Sequence, residues 1–421
     1  MGLPWNGTGE CAGAANILVI DVGQCGGVTM VPILTFAFAV LLLLGVLISE
    51  RASRTVLSTA VLFLLGGFVL GRGVLDVIPI ESVDPVVGVL AQLALFSVLF
   101  TDGMKVGLSD LRSAWRLPGR ALLFGLPLTL LITALLARYI VGLPWLQCFL
   151  LGAVLAPTDP VFAAAIVGRQ EVPGRLRHLL NVESGLNDGL ALPIVLVLLA
   201  IGGGTDTGIG VLAEEIGLGL LVGVLIPLIV IGLERLPFLK ATKGLQPLVA
   251  VSIGLLVLAI CLVTGANLFL AAFSAGITVA TAGPGFREEF EQFGELVSEL
   301  LKLAAILVFG ALITPTFLFG EIAWTGWVFA VLAIVAARPL ALLVSFLGTR
   351  LPLREQLAAM WFGPKGFASV VYGLLVLESG VSRSDEVYHL VALVIVLSIL
   401  AHSSTDVVIA RQFQARPPPT H

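Results

Sequence analysis

Three short stretches hold the residues with which this chain could do chemistry. Asn181-Val-Glu-Ser-Gly-Leu-Asn-Asp-Gly-Leu-Ala-Leu-Pro193 places two carboxylates, Glu183 and Asp188, in an apolar setting. Carboxylates at bilayer depth cost at least ~2.5–3.5 kcal/mol each, so function is the default reading of such residues. On a helix Ser184 and Asp188 share a face, and Glu183 and Asn187 share the adjacent one. Asp188 and Ser184 offer hard oxygen ligands suited to a small cation; no thiolate or His cluster points to a transition metal. Desolvation favours the protonated acid, so a buried Asp188 can hold either a proton or a cation. No resident metal and no cofactor is expected.

The second stretch, Ala156-Pro157-Thr158-Asp159-Pro160, and the third, Gly363-Pro364-Lys365-Gly366, each sit halfway along an apolar run. Two prolines three apart remove two amide donors and displace the helix around them. Non-helical backbone survives inside a membrane only against protein or a water-filled cavity. Each stretch therefore predicts two half-helices meeting at the midplane, where freed carbonyls such as that of Thr158 can coordinate a cation. A plain proline kink is the alternative for the first, but leaves Asp159 unexplained. Asp159 and Lys365 are expected to balance the half-helix dipole ends. Glu183 needs a cationic partner, and Arg338 in Ala337-Arg338-Pro339 is the intramembrane Arg, so a structural Glu183–Arg338 pair is expected. The alternative is that Arg338 binds carbonyls at the Pro339 kink. Asp102 ends its run and reads as either a solvated helix end or an acid at the mouth of the site. Lys302 is expected to snorkel to the surface. His402 reads as a packing histidine or a pH-sensitive group.

The elements that must position these residues are membrane helices. Of 421 residues, 58% are apolar and 12% charged, and mean hydropathy is +1.08. Soluble domains run nearer ~45–50% apolar and ~25% charged, which excludes a soluble enzyme. Net charge is −4 with no basic patch, so no nucleic-acid partner is expected. Apolar runs near 31–49, 55–75, 86–101, 121–140, 146–167, 178–200, 211–233, 247–264, 265–282, 298–319, 322–345, 355–377 and 389–410 give thirteen spans. The cut between the eighth and ninth falls at Thr264-Gly265-Ala266-Asn267. Taken alternately, one set of loops carries almost all of the loop Lys and Arg; the other carries only Arg72, Arg138 and Arg383. That asymmetry predicts an outside N-terminus and a cytoplasmic C-terminus, as in a bacterial inner membrane. Residues 283–297 repeat Phe among acids and read as an amphipathic helix on the cytoplasmic face.

The fold expected is an all-α membrane protein of thirteen spans with inverted repeats and two broken, crossing helices. The broken spans five and twelve are an odd number apart and so run oppositely, as inverted repeats require. The chain divides into an extracytoplasmic segment 1–30, spans 1–3 at 31–120, spans 4–6 at 121–200, spans 7–10 at 201–320, spans 11–13 at 321–410, and a short tail 411–421.

Ala-Pro-Thr-Asp-Pro, Glu-Ser-Gly-Leu-Asn-Asp-Gly, Arg-Pro and Trp-Phe-Gly-Pro-Lys-Gly together resemble the NhaP-type sodium/proton antiporters of the monovalent cation:proton antiporter superfamily, in matching order from about Val31 to Ala410. The resemblance implies a homodimer in the lipid bilayer, with spans 4–6 and 11–13 moving as a core against a dimerisation panel. It implies that Asp188 exchanges Na+ (or Li+) for H+, helped by Ser184 and the Thr158 backbone, with Asp159 and Asn187 nearby. A Glu183–Arg338 ion pair is also implied. Lys365 stands where the family more often has Arg, and Asp102 one place beyond a position where several members carry an acid. A K+/H+ exchanger is the nearer alternative; an ion channel or membrane-embedded enzyme is the more distant one. The Asn187-Asp188 pair marks the electroneutral branch and favours one-for-one exchange.

Overall fold

A computed structural model of the chain describes residues 27–52, 59–82, 84–106, 117–159, 172–203, 209–411 and 413. The expectations for residues 1–26, for the second half of span five and for the tail beyond Phe413 lie outside those residues. All regular structure among the described residues is helical.

Among the described residues, eight helices are long and apolar enough to cross a membrane. In chain order the elements are α1 (Gly27–Ala52), α2 (Thr59–Leu70), α3 (Pro85–Lys105), α4 (Pro118–Val141), α5 (Trp145–Leu155), α6 (Gly174–Ile201), α7 (Ile209–Glu234), α8 (Gln246–Thr264), α9 (Leu268–Ala282), α10 (Pro284–Leu312), α11 (Trp324–Ser345), α12 (Leu353–Trp361), α13 (Phe367–Glu378) and α14 (Ser384–Arg411). Only 22% of the apolar stretch of α7 is buried. Leu220, Leu221, Val224, Leu225, Leu228 and Ile229 point outward from it. Water would not tolerate such a face, but a hydrocarbon core would. The chain is a multi-pass membrane protein.

The short helices have local causes. α5 stops at the first proline of Ala156-Pro157-Thr158-Asp159, and α13 starts only after Gly363-Pro364-Lys365-Gly366. The α8–α9 turn falls where the sequence placed it. Gly265 closes α8 at φ +72, and Asn267 caps α9 by accepting from Leu270 N–H at 3.0 Å.

One expectation is corrected. The amphipathic segment and the tenth span form one 29-residue helix, α10, which ends at Leu312 and not near 319. Phe286 and Phe290 are buried, and Phe290 meets Phe100 of α3 edge-on at 5.9 Å. Phe286 and Phe290 are therefore inner packing of the helix that enters the bundle, Phe290 against α3, while Phe293 stays exposed.

α10 packs on α2 and α3, α9 on α3, and α7 and α8 on α9. A second set of contacts joins α4 to α5, α5 to α6, α11 to α4, α12 and α14, and α13 to α14. The two sets meet where α3 touches α6 and α13, and where α10 touches α13.

Candidate functional site

The two breaks meet backbone to backbone. Asp159 N–H donates to Pro364 C=O at 2.9 Å. Phe367 N–H, at the start of α13, donates to Asp159 Oδ2 at 3.3 Å, and Ser369 Oγ donates to Val154 C=O at 2.7 Å. Asp159 thus sits at the positive end of the α13 half-helix, where a carboxylate is stabilised. Glycine makes the approach geometrically feasible: a Cβ on Gly366 would lie 1.9 Å from Asp159 Cβ, and one on Gly363 would lie 2.1 Å from the Arg338 side chain. Gly366→Ala is therefore expected to push the breaks apart, at about 3 kcal/mol, the upper end of the overpacking range, with loss of transport. Thermal unfolding in detergent and vesicle flux check it; wild-type values for both would contradict the crossing geometry.

Glu183, Ser184, Asn187 and Asp188 all lie buried on α6. Asn187 Nδ2 donates to Thr158 Oγ1 at 2.8 Å and to Thr158 C=O at 3.3 Å, while its Oδ1 has no hydrogen-bond partner. Since a carbonyl only accepts, the amide orientation is fixed. The side chain of Asn187 therefore ties α6 to the first break. Tyr372 of α13 donates its hydroxyl to Asp188 C=O at 2.8 Å. Its place in the site has no sequence signal beyond a polar group in an apolar helix. The carboxylate of Asp188 lies within electrostatic reach of Asp102, Asp159 and Lys302.

Arg338 reaches Glu183 with both guanidinium ends, Nη1 to Oε1 at 2.5 Å and Nη2 to Oε2 at 2.9 Å. Nη2 also faces Ala359 C=O and Phe362 C=O at 3.3 Å each. Arg338 thus braces the unwound end of α12 as well as α6. A π turn, Ala333–Ala337, immediately precedes it. Such turns insert one residue and re-aim the next side chain, and Pro339 cannot supply the usual amide donor.

Lys365 and Asp159 do not face each other. Lys365 is buried, its Nζ has no hydrogen-bond partner, and its charged neighbours are Arg338 and Glu183. Its backbone N–H donates to Ser398 Oγ of α14 at 2.8 Å. The backbone crossing places Gly366, rather than Lys365, against Asp159. The ammonium beside Asp159 belongs instead to Lys302 of α10, with Nζ 3.6 Å from Oδ1. Lys302 is 6% exposed and does not snorkel, because α10 continues well beyond it on both sides.

Asp102 is buried at the end of α3 and pairs with Lys105 at 3.2 Å; Lys105 also lies 3.4 Å from Glu295 of α10. These three line a cavity of about 550 Å³ whose wall also includes Glu299 and Lys302. An ion in that cavity would find more acids than bases. His402 is buried against the second break: Nε2 lies 3.0 Å from Trp361 C=O and Nδ1 3.1 Å from Ser398 Oγ. Nδ1 also lies 2.7 Å from Ser398 C=O, and because both carbonyls only accept, a neutral ring can donate to one of them but not to both.

The family described as sodium/hydrogen exchanger, transmembrane, matches residues 37–411. The K(+)/H(+) antiporter NhaP2 of Shewanella oneidensis is 25% identical over 390 residues, covering 90% of this chain and 67% of the relative. The K(+)/H(+) antiporter NhaP of Alkalimonas amylolytica is 28% identical over 372 residues, covering 85% of this chain and 62% of the relative. The chain thus spans about two thirds of the length of these relatives. In fold it is similar to the sodium proton antiporter MjNhaP1 of Methanocaldococcus jannaschii, with a TM-score of 0.72 at 19% identity, over 92% of this chain and all of that one.

Proposed function

The chain belongs to the sodium/hydrogen exchanger family, and from that premise we propose that it exchanges one Na+ or Li+ for one H+, with Asp188 as the group both ions share. The observation that carries this reading is that the buried carboxylates around Asp188 each have a cationic partner. Glu183 is paired with Arg338, Asp159 with Lys302 and Asp102 with Lys105. Among the described residues no ammonium or guanidinium comes within 4.0 Å of Asp188. One carboxylate of the site is thereby left for a mobile cation. A proton neutralises it equally well, so either ion loads the site with the same charge.

Ser184 Oγ, the Thr158 carbonyl and Asp159 are the further oxygens we assign to the cation, with Asn187 as their brace. Oxygen ligands of this kind do not set ion size, and K+ is the second reading, favoured by the names of the relatives above. The two sets of helix contacts support a core of α4–α6 and α11–α14 moving against α1–α3 and α7–α10; a homodimer is what the family resemblance implies. The alternating distribution of Lys and Arg supports an outside N-terminus and a cytoplasmic C-terminus.

The test is proton flux in proteoliposomes with Na+, Li+ and K+ added in turn, under an imposed membrane potential. A potential of 100 mV is worth ~2.3 kcal/mol per net charge moved. Rates and end-points indifferent to voltage are expected. A clear voltage dependence would rule out one-for-one exchange and make Asp159 or Glu183 a second proton carrier.

A further inference from the structure

Building on the function proposed above, we infer that Thr101 and Ser298 form a staging site for the transported cation on the cavity wall, where the ion exchanges part of its water for hydroxyl oxygens before it reaches Asp188. The two residues meet between α3 and α10, with Thr101 Oγ1 and Ser298 Oγ 2.8 Å apart, and both are buried. Ser97, one turn back on α3, closes the cluster. Its Oγ lies 2.7 Å from Ser298 Oγ, and its C=O accepts from Thr101 Oγ1 at 2.8 Å and from Ser298 Oγ at 3.0 Å. A hydroxyl has one proton and two lone pairs. With Thr101 donating to the carbonyl, Ser97 to Ser298, and Ser298 to either of its acceptors, all three protons are spent inside the cluster. Thr101 and Ser298 each keep a lone pair, and both residues line the cavity. Such a wall accepts and has no proton left to donate, so it suits a cation and offers an anion nothing.

Hydroxyls also bond across membrane helices simply to brace them. Position gives this pair a further role. Each hydroxyl precedes an acid, Thr101-Asp102 on α3 and Ser298-Glu299 on α10, and both acids line the same cavity of about 550 Å³. Exposure falls along that cavity, from the side chains of Glu295 at 50% and Lys105 at 36% to that of Lys302 at 8%. Ser298 lies one turn from Glu295 and one turn from Lys302, so the pair stands past the mouth, where an entering ion is losing water. Around it three acids, Asp102, Glu295 and Glu299, face two bases, Lys105 and Lys302, so one added positive charge balances the cavity. A neutral oxygen there replaces water without trapping the ion, as transit through a narrow path requires. The pair belongs to α3 and α10, whereas Asp188 sits on α6, so the ion is handed from one set of helices to the other.

The test uses sidedness, which a brace would not show. On the topology proposed above the cavity is entered from the cytoplasm, so inside-out membrane vesicles present it to the medium. Thr101→Val keeps the shape of the side chain and orphans no donor, because Ser298 Oγ can turn to Ser97 C=O. In inside-out vesicles its KM for Na+, or for whichever of Li+ and K+ drives wild-type exchange, should rise about threefold to tenfold, the range that loss of one ordinary oxygen contact gives. In right-side-out vesicles, where the ion arrives by the other route, its KM should match the wild type. Thr101→Ser, which restores the hydroxyl, should restore KM on the cavity side. If Thr101→Val does not fold, as thermal unfolding would show, Ser298→Ala carries the same comparison. A KM unchanged on the cavity side, or raised alike on both sides, would overturn the staging site. Failure of the wild type to exchange protons for any of the three ions would instead overturn the function on which it rests.

Discussion

Asp188→Asn is expected to abolish cation/proton exchange while leaving a folded protein. The amide is nearly isosteric, and the backbone contact from Tyr372 to Asp188 C=O does not involve the side chain. On the proposed reading, what disappears is the carboxylate that alternates between a proton and a cation. Asn cannot ionise, so neither ion loads the core. The other carboxylates cannot substitute while Arg338, Lys302 and Lys105 hold them. The check is flux in vesicles beside thermal unfolding in detergent. Exchange at a near wild-type rate would move the site elsewhere, with Asp159 the first alternative.

Arg338→Ala is expected to be the most destabilising single substitution at the site. Removing one partner of a buried pair costs ~3–5 kcal/mol, because the other charge is left behind. Here it also withdraws the guanidinium from Ala359 C=O and Phe362 C=O, where the backbone of α12 has just unwound. Glu183→Gln should behave alike but more mildly, since Arg338 keeps those two carbonyls. Thermal midpoints should therefore fall in the order wild type, Glu183→Gln, Arg338→Ala. A full-stability Arg338→Ala protein would mean that the pair contributes nothing to folding.

Much of this was legible in the sequence for a physical reason. Charge is costly in hydrocarbon, so Glu183, Asp188, Asp159, Arg338 and Lys365 each stand out against an apolar background. Proline pairs and glycines likewise mark where backbone leaves the helix. The fold class followed from the same economy of polar groups. Apart from the Glu183–Arg338 pair, what stayed hidden was pairing across the bundle. Lys302 follows an acidic, Phe-rich stretch that resembles a surface helix, which put it at an interface. Only the continuity of α10 shows it to be deep. Nor could spacing reveal that the crossing turns Gly366 to Asp159 and Lys365 toward Arg338 and Glu183. The π turn before Arg338 left no trace because every residue of Ala333–Ala337 is apolar.

The central claim is that one carboxylate, Asp188, holds either a proton or a cation, never both. The most direct measurement is the cation KM of the wild-type protein in proteoliposomes across a series of pH values, with no membrane potential. A shared site predicts that KM rises in proportion to proton concentration at the acid end while the maximal rate stays constant, the pattern of two ligands competing for one group. A maximal rate that falls with acid at constant KM would contradict it, for proton and cation would then bind at separate places.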